Sequence, residues 1–185
     1  GNFQIGDGVF SLKNNEKNSL NLREDELQFI KPYFTSDQLH QFYGSSENNR
    51  WLIYTPSNFN QANSMDDYPQ LKSHLDKFSV IITSDNKPYG LHRARNENYF
   101  NGEKIISLRK CAEPTFTYTD FPCYVSQTYF VIKTDRINLK YLTLLLNSKL
   151  IKFWLKYQGK MQGNNFQIDK EPLLNIPIVN ISHPE

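Results

Sequence analysis

An α+β fold is predicted for this chain: a single domain with a mixed or antiparallel sheet and several helices, including a long C-terminal apolar helix. Three observations predict it. Strand-like runs follow one another between residues 104 and 133 with no helical period between them. Helical spacing recurs irregularly on both sides of that block, which is the pattern of α+β rather than of alternating βαβ units. The 13 Phe and 11 Tyr supply large burial per residue, enough for a core in 185 residues.

Taken in order, Phe3 to Leu12 alternates moderately and reads as a strand with a Gly6-Asp7-Gly8 turn. Leu22 to Tyr33 carries Leu22, Leu27, Phe29 and Ile30 behind the acidic Glu24, Asp25 and Glu26, which suits a helix N-terminus, with Pro32 marking its end. Thr35 or Ser36 can cap a short helix to Tyr43 with Leu39 and Phe42 inward. Trp51 to Tyr54 reads as a buried strand, and Ser57 to Asp66 as a polar loop. Tyr68 to Phe78 is helical, because Leu71, Leu75 and Phe78 fall at i, i+4 and i+7. Val80-Ile81-Ile82 is apolar but short. Thr83 to Asn101 reads as a long loop, of the kind that is functional or mobile. Strands are expected at Lys104 to Arg109, Thr115 to Tyr118 and Tyr124 to Lys133. Ile137 to Tyr157 is the strongest helical signal, with a break expected near Asn147-Ser148, and Pro172 to Val179 reads as a final strand bounded by prolines.

The totals exclude several classes. Net charge is only +2, so any basic surface must be local. Cys111 and Cys123 are the only cysteines, with no CxxC and no Cys/His cluster. Reduced buried thiols are expected, and no zinc. No signal peptide, lipidation motif or apolar run near 18 residues is present, so the chain reads as a cytoplasmic protein with no membrane partner. Methionine occurs only at 65 and 161 behind a Gly-Asn-Phe start, and the expectation is a fragment (residues 1-185) of a larger protein.

The richest stretch is Lys156 to Gln167, where two lysines, three glutamines and two asparagines sit on a glycine-loosened backbone. No acid occurs from Lys149 through Ile168. Lysine neutralises phosphate, and carboxamides read base edges, adenine best. Lys149, Lys152 and Lys156 share one helical face within about 60°, and Lys160 continues the run. A lysine stripe alone is usually a solvated helix face; its junction with an acid-free, amide-rich segment is what suggests a groove-facing element. The 30 Asn and Gln of the whole chain are better explained by base composition of the gene than by function.

The loop from Thr83 to Asn98 is the second candidate. Arg93 and Arg95 can grip guanine or phosphate, Lys87 and His92 can meet phosphate, and Tyr89 could stack or wedge. Lys104, Arg109 and Lys110 could widen the basic surface. Asn86-Lys87-Pro88-Tyr89 nearly spells the Asn-Pro-Pro-Tyr motif of amino-methyltransferases, but Lys replaces Pro and no glycine-rich methyl-donor turn precedes it. Asp66, Asp67, Glu97, Glu103, Glu113 and Asp120 are scattered rather than clustered as a metal-dependent nuclease requires. No nucleophile elbow occurs, and His40, His74 and His183 read as surface or core residues.

Six stretches carry a family resemblance: Phe29 to Phe34, Trp51 to Tyr54, Tyr68 to Leu75, Glu103 to Ile106, Tyr141 to Leu150, and Gly159 to Ile168 with Ile176 to Ile178 after it. In this order they resemble the TaqI-like C-terminal specificity domain, the target-recognition domain of adenine-N6 DNA methyltransferases and type IIG restriction–modification enzymes. The resemblance implies a DNA specificity module that contacts the major groove beside a separate catalytic domain, which flips the target adenine. It implies double-stranded DNA and the methyltransferase domain of the same chain as partners. S-adenosylmethionine would belong to the parent's catalytic domain, and Mg2+ to a fused nuclease if one exists. No catalytic residue and no cofactor carries over to this fragment. The base-reading residues expected from charge and amide placement are Arg93, Arg95, Gln162, Asn164 and Asn165. Those expected on phosphate are Lys87, His92, Lys149, Lys152, Lys156 and Lys160. The rival expectation is a protein-interaction module whose apolar helix packs on a partner subunit.

Overall fold

The computed structural model describes residues 8–83 and 85–179. They form an α+β structure that divides into two compact units. The first holds residues up to Phe34 with Glu47–Glu97, and the second holds Thr35–Ser46 with the residues from Asn98 onward. Each unit has its own hydrophobic cluster.

In the first unit, β1 (Ser11–Lys13) runs into α1 (Asn14–Ser19), and the Glu16 carboxylate accepts the Lys13 N–H at 2.7 Å to close the turn. A 3-10 helix over Glu24–Phe29 leads into β2 (Ile30–Tyr33). The sheet order is β1-β4-β2, antiparallel throughout, with β4 (Arg50–Ile53) central and Leu12 opposite Trp51. Helix α2 (Pro69–Asp76) buries Leu71 and Leu75 against Leu12, Ile53 and Met65. Complete burial of each leucine contributes about 1.5–3 kcal/mol. Pro69 has no N–H to satisfy, and the next two donors, of Gln70 and Leu71, go to the fully buried Glu26 carboxylate at 2.7 and 3.0 Å.

That use of Glu26 explains one correction. The helix expected over Leu22 to Tyr33 is only the short 3-10 segment. Glu26 turns back to accept the Arg23 N–H at 2.8 Å and reaches α2 with its other oxygen. Pro32 is tolerated in β2 because that strand lies at the sheet edge. Of the first expected strand, residues 3–7 lie outside the described residues, and the chain turns over 8–10 before β1.

In the second unit, the short β3 (Phe42–Tyr43) pairs parallel with β7 (Phe116–Thr119). This replaces the helix expected from Thr35 to Tyr43: Leu39 is buried, but Phe42 sits at φ 74, off any helical path, and is exposed. β5 (Lys104–Leu108) lies between β7 and β8 (Tyr129–Ile132), antiparallel to both. The sheet order is β3-β7-β5-β8. After β5 the chain enters a second sheet, where β6 (Lys110–Cys111) pairs with β10 (Asn165–Gln167), and β10 pairs with β9 (Lys160–Gln162).

The long apolar helix expected over Ile137 to Tyr157 is two helices, α3 (Leu139–Leu146) and α4 (Lys149–Gln158). Asn147 ends the first. Its amide nitrogen donates to the Phe116 carbonyl at 2.7 Å and its oxygen accepts the Phe116 N–H at 3.0 Å. Ser148 then caps α4, its hydroxyl accepting the Ile151 N–H. Leu139, Leu142, Leu146, Ile151 and Leu155 are buried in the cluster with Ile105, Phe116 and Phe166. The strand expected over Pro172 to Val179 is absent. Pro172 lies in helix α5 (Lys170–Leu174), in its first turns, where a missing N–H costs little.

Candidate nucleic-acid interface

The segment expected to be a loose loop after Lys156 is a hairpin. Asn165 pairs with Gln162, leaving Gly163-Asn164 as a two-residue turn. Gly163 has φ +61 and open space where a Cβ would stand. Asn164 keeps an ordinary negative φ, which matches a type II′ turn with Gly first. A Gly-Asn pair between two short alternating runs is the signal that identifies such a hairpin from sequence.

The register sorts the side chains. Successive residues of a strand point to opposite faces. Phe166 and its partners Met161 and Cys111 share one face, and Phe166 is buried in the core cluster. On the other face, Gln167 stands between Lys110 and Lys160, and Asn165 stands beside Gln162. Lys110, Lys160, Gln162 and Asn164 are exposed, and Asn165 and Gln167 are half-buried. Three strands therefore present two cations and three carboxamides on one surface.

Helix α4 brings the other lysines. Lys149, Lys152 and Lys156 are exposed on the side away from Ile151 and Leu155. They are interleaved with exposed Leu150, Phe153 and Tyr157, and the two rings lie 4.5 Å apart. Lys156 lies over the Tyr157 ring. Two of the lysines already hold acids: Lys152 pairs with Glu113 at 2.5 Å, and Lys160 with Asp169 at 3.5 Å. The acid-free run thus has acids placed beside it by the fold.

The loop from Thr83 to Asn98 belongs to the first unit up to Glu97. Its stretch from Asn86 to Leu91 is held by hydrogen bonds. The Asn86 side chain donates to the Leu91 carbonyl at 3.1 Å, the Gly90 N–H donates to Asn86, and Thr55 donates to the Tyr89 carbonyl at 2.6 Å. Gly90 is required there, since a Cβ would lie 2.7 Å from Asn86 atoms. Tyr89 cannot stack on or wedge between bases, because its ring is buried and its hydroxyl donates to Asp76 at 2.8 Å. Lys87, His92 and Arg93 are exposed, with Arg93 at φ 54. His92 lies 3.9 Å from Asp85. Arg95 is half-buried, and its carbonyl accepts the Tyr54 hydroxyl.

Lys104 does not widen a basic surface. It is fully buried, donating to the Gly102 and Phe121 carbonyls at 2.9 and 2.6 Å, and burial pushes its pKa down to about 8. Arg109 is exposed over the Phe130 ring at 4.3 Å. Both cysteines are free thiols. Burial pushes Cys111 up to about 11 and Cys123 up to about 12, so neither supplies a thiolate near neutral pH. Among the described residues, no three His, Cys, Asp or Glu side chains come together as a metal site would require, and no helix is long and apolar enough to cross a membrane.

The family model of the TaqI-like C-terminal specificity domain matches residues 31–178. The chain belongs to this family. Two curated relatives from Haemophilus influenzae, the type II methyltransferases M.HincII and M.HindII, are each 28% identical to it over 141 residues. That alignment covers 70% of this specificity domain and 26% of either relative, so the chain spans about a quarter of their length. Among solved structures, the type IIL restriction–modification enzyme MmeI, determined in complex with DNA, superposes with a TM-score of 0.61 at 12% identity. The superposition covers 91% of the specificity domain and 23% of MmeI, and it shows a shared fold.

Proposed function

We propose that this specificity domain reads a short sequence in double-stranded DNA for a restriction–modification methyltransferase. Family membership gives the class of task, and the β9–β10 hairpin carries the reading to particular residues. Its exposed tip offers Gln162 and Asn164, with Asn165 behind them and Lys160 on the same strand as Gln162. A two-stranded ribbon is narrow enough to enter the major groove, where carboxamides distinguish adenine. Lys149, Lys152, Lys156 and Lys160 would hold phosphates, which position the module without reading sequence. In the first unit, Arg93 and Arg95 are assigned to base edges, and Lys87 and His92 to phosphate.

The whole protein would position duplex for adenine-N6 methylation by a catalytic domain on the same polypeptide. That domain would bind S-adenosylmethionine. A fused nuclease, if present, would use Mg2+. No bond-making step is assigned to this chain. The exposed Leu150, Phe153 and Tyr157 favour a second reading, in which α4 packs on a protein partner. Duplex binding across a salt series separates the two. The DNA reading expects log K to fall steeply with log salt, and Lys156→Ala to lower that slope by about one. Affinity that does not depend on salt would abandon it for the protein-partner reading.

A further inference from the structure

We propose that Gln167 is an adenine-reading residue and that Asp169 is its positioning residue. This deepens the DNA-reading function proposed above and rests on it. Gln167 lies on β10, the middle strand of its sheet, so strands on both sides hold its backbone. It stands in a cross-strand row between Lys110 and Lys160, on the face opposite the buried Phe166. Neighbours in such a row have Cβ atoms about 5 Å apart, which leaves one amide flanked by two cations.

Asp169 fixes which end of that amide is which. Gln167 Nε2 lies 3.4 Å from both Asp169 carboxylate oxygens. A carboxylate only accepts, so the nitrogen must face it, and one of its two N–H groups is spent there. The remaining N–H and Oε1 form a donor–acceptor pair. Adenine offers the complement in the major groove, an N6 donor beside an N7 acceptor. Guanine offers two acceptors and would set O6 against Oε1. Asp169 also holds Lys160 at 3.5 Å, which restrains that cation from pairing indiscriminately with phosphate. One carboxylate therefore orients a reader and tempers a backbone contact.

The test is selection from a pool of duplexes with a randomised centre, using the full gene product, its Gln167→Ala variant and its Asp169→Asn variant. The parent is expected to enrich adenine at a position where Gln167→Ala loses about 5- to 150-fold in preference, the range of one bidentate base contact. Preference at the other positions should persist, which also shows that the variant is folded. Asp169→Asn should raise affinity for a scrambled duplex about two- to fivefold, the scale of an exposed ion pair, while lowering discrimination at the Gln167 position. A purely structural Asp169 would not move affinity and discrimination in opposite directions. Unchanged preference at every position in Gln167→Ala, or uniform loss at all of them, would overturn the inference and leave the DNA-reading function standing. Failure of the parent to bind any duplex at low salt would overturn both.

Discussion

Lys152 Nζ lies 2.5 Å from the Glu113 carboxylate, although the two residues are far apart in the chain. The pair ties α4 to the segment after β6 and neutralises one of the lysines assigned to phosphate. A phosphate that engages Lys152 has to displace an anion already in place. Glu113→Gln is therefore expected to raise affinity for duplex of any sequence about two- to fivefold and to steepen the salt dependence by up to about one unit. Fluorescence anisotropy at several salt concentrations measures both. Equal slopes in variant and parent would remove Lys152 from the phosphate contacts.

Glu26 is a structural carboxylate. It is fully buried and accepts the N–H groups of Arg23, Gln70 and Leu71. Glu26→Ala leaves those donors without acceptors, and a loss of about 3–5 kcal/mol is expected. Glu26→Gln should also destabilise, because its NH₂ group faces a donor where the carboxylate had an acceptor. Urea denaturation gives both values, and a change below about 1 kcal/mol in the alanine variant would refute the role.

His74 makes the first unit sensitive to mild acid. Its Nε2 donates to the Val9 carbonyl at 2.8 Å, since a carbonyl can only accept, and burial holds its pKa below the ordinary 6.5. The native state then binds fewer protons than the unfolded state once pH falls towards and below 6.5. The stability His74 contributes is full above that pH and declines as pH falls through it towards the folded-state pKa. His74→Gln keeps a donor for Val9 and removes the titration. Thermal melts from neutral pH down to about one unit below the ordinary histidine pKa should show a larger drop for the parent than for the variant; parallel curves would contradict this.

Gly163 is required for its backbone alone. Nothing lies within 4 Å of where its Cβ would stand, yet φ is +61. Gly163→Ala should cost about 1–3 kcal/mol, because the first central position of a type II′ turn has a positive φ that a side chain opposes. If Gln162 and Asn164 read bases, Gly163→Ala should also weaken discrimination by splaying the turn. A Gly163→Val variant with unchanged melting and unchanged sequence preference would show that the turn does not set the reading geometry.

Local pattern is sufficient wherever one element answers to its own apolar period. Leu71 and Leu75 announce α2, Trp51 to Ile53 announce β4, and the six ordered stretches identify the family without coordinates. It is insufficient where a distant group intervenes. The break near Asn147-Ser148 is legible in the sequence but its partner is not, because the Asn147 amide pairs with the distant Phe116; and Glu26 diverts its own segment to cap α2. In the β9–β10 segment, the Gly163-Asn164 turn carries a readable hairpin signal, but the density of glycine and carboxamides around it also suits a loose loop, and only the pairing of Gln162 with Asn165 separates the two.

The sequence by itself determined the fold class, the family and the concentration of lysines and carboxamides between Lys149 and Gln167. Tertiary structure alone decided the state of each polar group. It buried Lys104 and Tyr89, set Glu113 beside Lys152 and Asp169 beside Lys160, and placed Gln167 in a row with Lys110 and Lys160. The physical reason is range. Hydrophobic periodicity reports which side of one element avoids water, over a few residues. A charge or an amide is defined by its partner, and packing brings that partner in from elsewhere in the chain.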